Sequence, residues 1–237
     1  MKVSKAVAII PARGGSKRIP RKNIKLFCGK PIIAYSILAA LESGLFDRII
    51  VSTDDREIAE TAVEWGADVP FTRPAELADD YTTTMAVIKH AIGWIQENEP
   101  GYEYACCIYP TAPFIREKDL REGFERLKNK EVHFAFPVTS FASSIFRALK
   151  LTSDNRLGMF WPEYLNTRTQ DLPEAYHDTG QFYWGKTAAF LNTDSIFEKH
   201  SSPIIIPRHL AQDIDTPEDW DLAELIFRSL TSPSVFP

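Results

Sequence analysis

Two residue clusters at opposite ends of the chain carry groups able to do chemistry. The first is PARGGSKRIPRKN, residues 11–23, where Arg13, Lys17, Arg18, Arg21 and Lys22 stand with no acid among them. Glycines let backbone amides approach a phosphate closely, and arginine adds a planar, two-pronged donor to the charge. That combination suits phosphate binding, although a solvated charged loop has the same composition. It contains neither GxxxxGK[ST] nor GxGxxG. The second cluster is QDIDTPEDW, in which Asp213 and Asp215 flank Ile214. If this piece is extended, both carboxylates share one face and Ile214 points inward. Two carboxylates with open positions suit Mg²⁺ (or Mn²⁺), which keeps waters or phosphates as its other ligands. The competing reading is that Asp215 caps the helix beginning at Pro217.

The elements needed to position these clusters follow from periodicity. Lys5 to Ile10 and Arg48 to Ser52 read as buried parallel strands, and Tyr104 to Tyr109 as a third. A short strand is expected near residues 67–72. Helices are expected over 31–43, 55–65, 117–130 and 217–230, with another in TTTMAVIKHAIGWIQEN. Thr216 is read as the cap of the last helix. Strand alternating with helix means a mostly parallel sheet covered on both faces. The basic loop, STDD (52–55) and YPTAP (109–113) each follow a strand, so all three converge on the sheet edge where ligands bind. Beyond about residue 137 the rhythm changes. Paired strands are expected over 146–152 and 157–161, a loop over 166–173 and one strand over 175–184. We read this as an antiparallel insertion at about 140–175 within a single domain spanning 1–237. Residues 203–207 return to the sheet, and 231–237 read as a frayed tail.

The order and content of these motifs resemble the CMP-sugar-acid synthetases, the cytidylyltransferases that activate sialic acids and their relatives. ARGGSKRIPRKN is similar to that family's opening signature, STDD to its STD, YPTAP to its QPTSP, and DID to its metal pair. The resemblance implies a three-layer Rossmann-like nucleotidyltransferase fold with a small antiparallel dimerisation insertion, hence a homodimer. It implies CTP contacts from Ala12, Arg13, Gly14, Ser16, Lys17, Lys22, Asn23, Thr53, Asp54, Pro110 and Thr111. Asp213 and Asp215 would hold Mg²⁺, with Arg13, Lys17 and Asp215 serving catalysis. Asp54 could equally cap the helix after it. Where the sialic acid enzymes have Gly after Ser-Lys, this chain has Arg18, and Arg116 falls one place late. HDTGQFYW resembles the pseudaminic acid branch more than the sialic acid one. That likeness implies sugar contacts from Arg168, His177, Asp178, Thr179, Gln181 and Tyr183. N-acetylneuraminic, legionaminic and 3-deoxy-manno-octulosonic acids are the alternative substrates. Phe182 and Trp184 suit an apolar sugar face or, equally, the core.

Composition bounds the rest. A formal net charge of -5 argues against a nucleic-acid binder. No run of about 18 apolar residues is present to span a membrane, and no signal peptide is evident. Three cysteines make no metal-ligand spacing, which fits a cytoplasmic protein. A non-catalytic nucleotide-binding protein would share the basic loop but leave DID unexplained.

Overall fold

Apolar residues at every position of a short run, rather than alternate ones, mark strands buried on both faces. The computed structural model, which describes residues 5–231, has such strands at its centre. In chain order the strands are β1 (Lys5–Pro11), β2 (Leu26–Phe27), β3 (Lys30–Pro31), β4 (Arg48–Ser52), β5 (Tyr102–Ile108), β6 (Phe134–Ser140), β7 (Leu149–Leu151), β8 (Leu157–Met159), β9 (Tyr176–Asp178), β10 (Phe182–Lys186) and β11 (Ser201–Ile205). The helices are α1 (Ile32–Ser43), α2 (Arg56–Glu64), α3 (Thr84–Asn98), α4 (Glu117–Leu127), α5 (Thr187–Asn192) and α6 (Pro217–Thr231).

The main sheet runs β11-β6-β10-β5-β1-β4, with β9 also paired to β6. β1 is parallel to β4 and β5, and β11 is parallel to β6, whereas β10 is antiparallel to both β5 and β6. The carboxyl ends of β1, β4, β5, β6 and β11 therefore share one edge, and β10 starts there. Within β1, Ala6, Ala8 and Ile10 face a layer containing α1, α2, α4 and α6. Val7 and Ile9 face α3 and Phe190 of α5. The result is the three-layer mixed sheet, mostly parallel, that the sequence implies.

Several elements differ from expectation. Residues 67–72 form only isolated bridges, Ile50 to Asp68 and Thr53 to Thr72. The strand expected over 175–184 is two strands, because Gly180 adopts φ 61°, a left-handed conformation that interrupts pairing. Phe146 lies in a single helical turn before β7, which pairs only with β8 as a small separate sheet. β6 and α5 had no sequence-based expectation. β6 contains Pro137, which masks it as a strand, and α5 is only 6 residues long. Of the frayed tail expected over 231–237, Thr231 is instead the last residue of α6, and 232–237 lie outside the described residues.

Alternation along β10 sorts its aromatics. Phe182 and Trp184 are fully buried on the α4 side, where the Trp184 indole donates to the Leu120 carbonyl at 3.0 Å. They are core residues. Tyr183 points to the opposite face. Next in the strand, a β-carbon at Gly185 would stand 2.5 Å from a Phe190 ring carbon and 2.7 Å from one of Phe134. Gly185→Ala is therefore expected to cost about 1–3 kcal/mol through overpacking. Thermal unfolding would register this as a midpoint several degrees lower, and an unchanged midpoint would mean both phenyl rings yield freely.

Candidate active site

The three loops meet as the topology requires. A cleft of about 360 Å³ opens at the carboxyl edge, bounded by the basic loop, the Arg73–Thr84 segment, Tyr109 to Thr111 and Asp215. Arg13, Ser16, Lys17, Lys22, Asn23, Pro110 and Thr111 all line it.

The basic loop is braced from several sides. Ala12 is buried and its N–H donates to the Ser52 carbonyl at 2.9 Å. Asn23 is buried and its side-chain amide donates to the Arg13 carbonyl at 2.9 Å. Asp54 neither caps α2 nor lines the cleft: its carboxylate accepts from the Gly14 N–H at 3.0 Å. Asp55 is the cap, accepting from the Ile58 N–H at 3.0 Å. Gly14 is needed because a β-carbon there would stand 2.7 Å from an Asp55 oxygen. Its N–H already serves Asp54, so the close approach is to the neighbouring acids. Thr53 is buried beneath this junction, its hydroxyl accepting from the Asp55 N–H at 3.1 Å.

Each cation of the loop has an acidic partner. Arg13 donates to the Asp79 carbonyl and an Asp80 oxygen, both at 2.7 Å, and Lys17 pairs with the other Asp80 oxygen. Arg18 meets Asp215 at 2.8 Å. Lys22 donates to the Ile214 carbonyl at 2.7 Å and reaches the second Asp215 oxygen at 3.3 Å. Arg21 pairs with Asp55 and Glu57.

The alternatives for Asp215 are resolved by the next turn. Thr216 and Asp219 cap α6 reciprocally, the Asp219 N–H donating to the Thr216 hydroxyl at 3.2 Å and the Thr216 N–H to Asp219 at 2.7 Å. Asp215 is thus left facing the cleft, while Ile214 is 1% exposed and anchors the pair. Asp213 still reaches solvent, yet partial desolvation and the charges of Asp215 and Asp178 raise its pKa against the opposing effect of Lys22. Crowded carboxylates of this kind favour a divalent cation. No cluster of three His, Cys, Asp or Glu able to hold a metal occurs among the described residues. Two protein carboxylates completed by phosphates and water fit Mg²⁺.

Arg73 had no sequence-based expectation. It is 4% exposed and lines the cleft, and among the described residues its guanidinium donates only to Ser52, to the hydroxyl at 3.1 Å and to the carbonyl. Burial lowers its pKa to about 10, so it stays charged at neutral pH. An RP dipeptide after a short bridge was the available signal, weak by itself.

Behind Tyr109 and Thr84, which border both spaces, lies a second chamber of about 320 Å³. Met85, Ile88, Phe190, Ile196 and Phe197 make it apolar, and Asp178 and Tyr183 face it. The Tyr183 hydroxyl donates to Asp178 at 2.5 Å. Burial pushes Tyr109 up to about 12 and Tyr183 higher still, so both phenols remain protonated donors. The other residues of the HDTGQ block lie elsewhere. Thr179 and Gln181 are buried and bond the Pro137 and Leu210 carbonyls. His177 is exposed, packs on Phe141 at 4.8 Å and bonds the Asp178 carbonyl. Arg168 is exposed and pairs with Asp171 at 2.7 Å. None of these four lines the cleft or the chamber. Arg116 instead opens α4 and pairs with Asp119 at 2.7 Å.

A mixed α/β sheet with a cation-rich cleft at its carboxyl edge, lined by Asp215 with Asp213 two residues away and outside the lining, defines a nucleotide-handling protein. Residues 7–226 match the cytidylyltransferase family model, and the chain belongs to that family. It is 46% identical over 224 residues to a pseudaminic acid cytidylyltransferase of Campylobacter jejuni, covering 94% of this chain and 97% of the relative. It is 32% identical to a CMP-N,N'-diacetyllegionaminic acid synthase of Legionella pneumophila, covering 92% and 94%. A CMP:2-keto-3-deoxy-manno-octonic acid synthetase solved with CTP shares the fold at a TM-score of 0.70 and 16% identity, covering 96% of this chain and all of that one.

Asp55 offers a direct check on the bracing. Its hydrogen-bonded pair with Arg21 holds its carboxyl below the usual range. Stability from that pair is full above the unfolded value of about 3.9 and is lost as pH falls through the lower folded value. Asp55→Asn keeps a capping oxygen but loses the pair. Urea titrations between about pH 6 and pH 2 should show a deficit relative to wild type that is full at about pH 6 and shrinks toward acid.

Proposed function

We propose that the cleft binds CTP and the chamber beside it a nine-carbon sugar acid, pseudaminic acid, the enzyme joining CMP to the anomeric hydroxyl and releasing pyrophosphate. The observation that carries this reading is the meeting of Lys22 and Arg18 with Asp215 in one cleft, which brings phosphate-suited cations to a metal-suited carboxylate. The near full-length similarity to the Campylobacter jejuni enzyme supports the choice of sugar.

In this reading Arg13 and Lys17 hold the triphosphate from one side, and Lys22 and Arg18 from the other. Arg73, buried and charged, offers its guanidinium to the oxygen and ring nitrogen acceptors of cytosine. Asp213 and Asp215 would hold Mg²⁺, with Mn²⁺ as a substitute. When bound, the ion supplies charge neutralisation on the phosphate oxygens as the bond to pyrophosphate breaks. Tyr109 and Thr84, bonded at 3.1 Å, separate nucleotide from sugar. The apolar chamber wall suits methyl and N-acyl groups, and the Tyr183–Asp178 pair suits a polar donor on the same substrate.

The insertion has the surface of an interface. Leu149, Leu151 and Leu157 of its hairpin, with Phe160 and Leu165, are each more than half exposed. Large exposed apolar residues grouped in one segment mark contact surfaces, and we assign this one to a second copy of the chain. Among the described residues no helix is long and apolar enough to cross a membrane. The three cysteines are free thiols, which supports a cytoplasmic setting.

The test is a panel of sugar acids with CTP, read by mass spectrometry of the CMP conjugate. Pseudaminic acid should give the highest kcat/KM, and preference for legionaminic, N-acetylneuraminic or 3-deoxy-manno-octulosonic acid would reassign the substrate. Asp215→Ala should lower turnover by about 100-fold or more. Full activity of that variant would remove the metal assignment. Light scattering should report a dimer, and Leu151→Glu with Leu157→Glu should shift it to monomer.

A further inference from the structure

One acid paired with cations of the cleft lies outside every motif considered so far. Asp80 sits on the exposed turn after the Ala75–Leu77 helical turn, and its two oxygens engage the two cations assigned to the triphosphate. Arg13 reaches one oxygen at 2.7 Å and Lys17 the other. The turn is built to present this acid. Asp79 accepts from the Tyr81 N–H at 3.0 Å and from the Thr82 N–H and hydroxyl at 2.7 Å, and its own carbonyl takes a second bond from Arg13. Both cations hold the Asp80 carboxyl below its usual range, Lys17 most strongly.

We propose that Asp80 is an internal stand-in for phosphate, which the polyphosphate of the nucleotide must displace from Arg13 and Lys17 in order to bind. This rests on the reading of the cleft as a triphosphate site.

The physical consequence is discrimination by charge. A carboxylate brings one negative charge to two cations, whereas a di- or triphosphate brings several, with more acceptor oxygens. A polyphosphate therefore outcompetes Asp80, while an uncharged nucleoside gains nothing by displacing it. Salt dependence should follow as well. In the wild type, binding exchanges ion pairs to Asp80 for ion pairs to phosphate, so the net number formed is small. Without Asp80 each phosphate contact is a new pair, and affinity should fall more steeply as salt screens it.

The experiment compares wild type, Asp80→Asn and Arg13→Ala by calorimetry with CTP, inorganic pyrophosphate and cytidine, at about 50 mM and about 500 mM salt. Asp80 is partly exposed, so its replacement should leave the fold intact, which circular dichroism checks. Asp80→Asn should bind CTP and pyrophosphate about three- to tenfold tighter at low salt, the size expected from releasing two exposed pairs. The gain should shrink at high salt, and cytidine affinity should not change. Equal or weaker CTP binding by Asp80→Asn, while Arg13→Ala still binds CTP more weakly than wild type, overturns the proposal and leaves the triphosphate site standing. CTP binding unaffected by Arg13→Ala overturns both.

Discussion

The contact of Lys22 and Arg18 with Asp215 closes the molecule's function into one place. It joins residues almost two hundred positions apart, and only the folded sheet brings them within reach. Opposite charges meeting at a cleft mouth are weakly stabilising in water. The value of this pairing is geometric, since cations suited to phosphate and a carboxylate suited to a metal are held at hydrogen-bonding distance by the fold itself. Lys22 adds a bond to the Ile214 carbonyl, which fixes the backbone between the two carboxylates as well as the charge.

That contact depends on rigid surroundings. The basic loop contains two glycines and faces solvent, yet Ala12 bonds Ser52 at the end of β4, Asp54 accepts from Gly14, and Asn23 closes the loop on the Arg13 carbonyl. The carboxylate segment is held by Ile214 in the core and by the reciprocal cap of Thr216 with Asp219. Gln181 reaches the Leu210 carbonyl and so ties the start of β10 to the approach of the same segment.

The reversed strand β10 supplies the second half of the site. A strand running against its neighbours starts at the edge where they finish, so Tyr183 of β10 arrives beside the cleft, next to Asp178 at the end of β9, from a segment far along the chain. The bend between β9 and β10 falls at Gly180, whose φ of 61° is the left-handed conformation that glycine adopts freely. The chamber and the cation-rich cleft are thus built from different stretches that share one sheet edge.

The sequence by itself determined the alternating strands and helices of the first 130 residues, the convergence of three loops on one edge, and the identity of the two charged clusters. Each of these follows from local regularity: runs of buried strand residues, helical spacing, and charge type. Tertiary structure alone decided which acid caps a helix and which faces the cleft, because Asp54, Asp55, Asp215 and Asp219 are chemically alike and differ only in what lies within 3 Å of them. It also decided that Phe182, Trp184, Thr179 and Gln181 belong to the framework while Tyr183 and Asp178 face the chamber. Within β10 a register offset of one residue would exchange Tyr183 with Phe182 and Trp184, and register is set by strand partners distant in sequence. Arg73 and Asp80 were illegible for the same reason, since a cation or an acid on an irregular segment acquires its role only from the partners that folding places beside it.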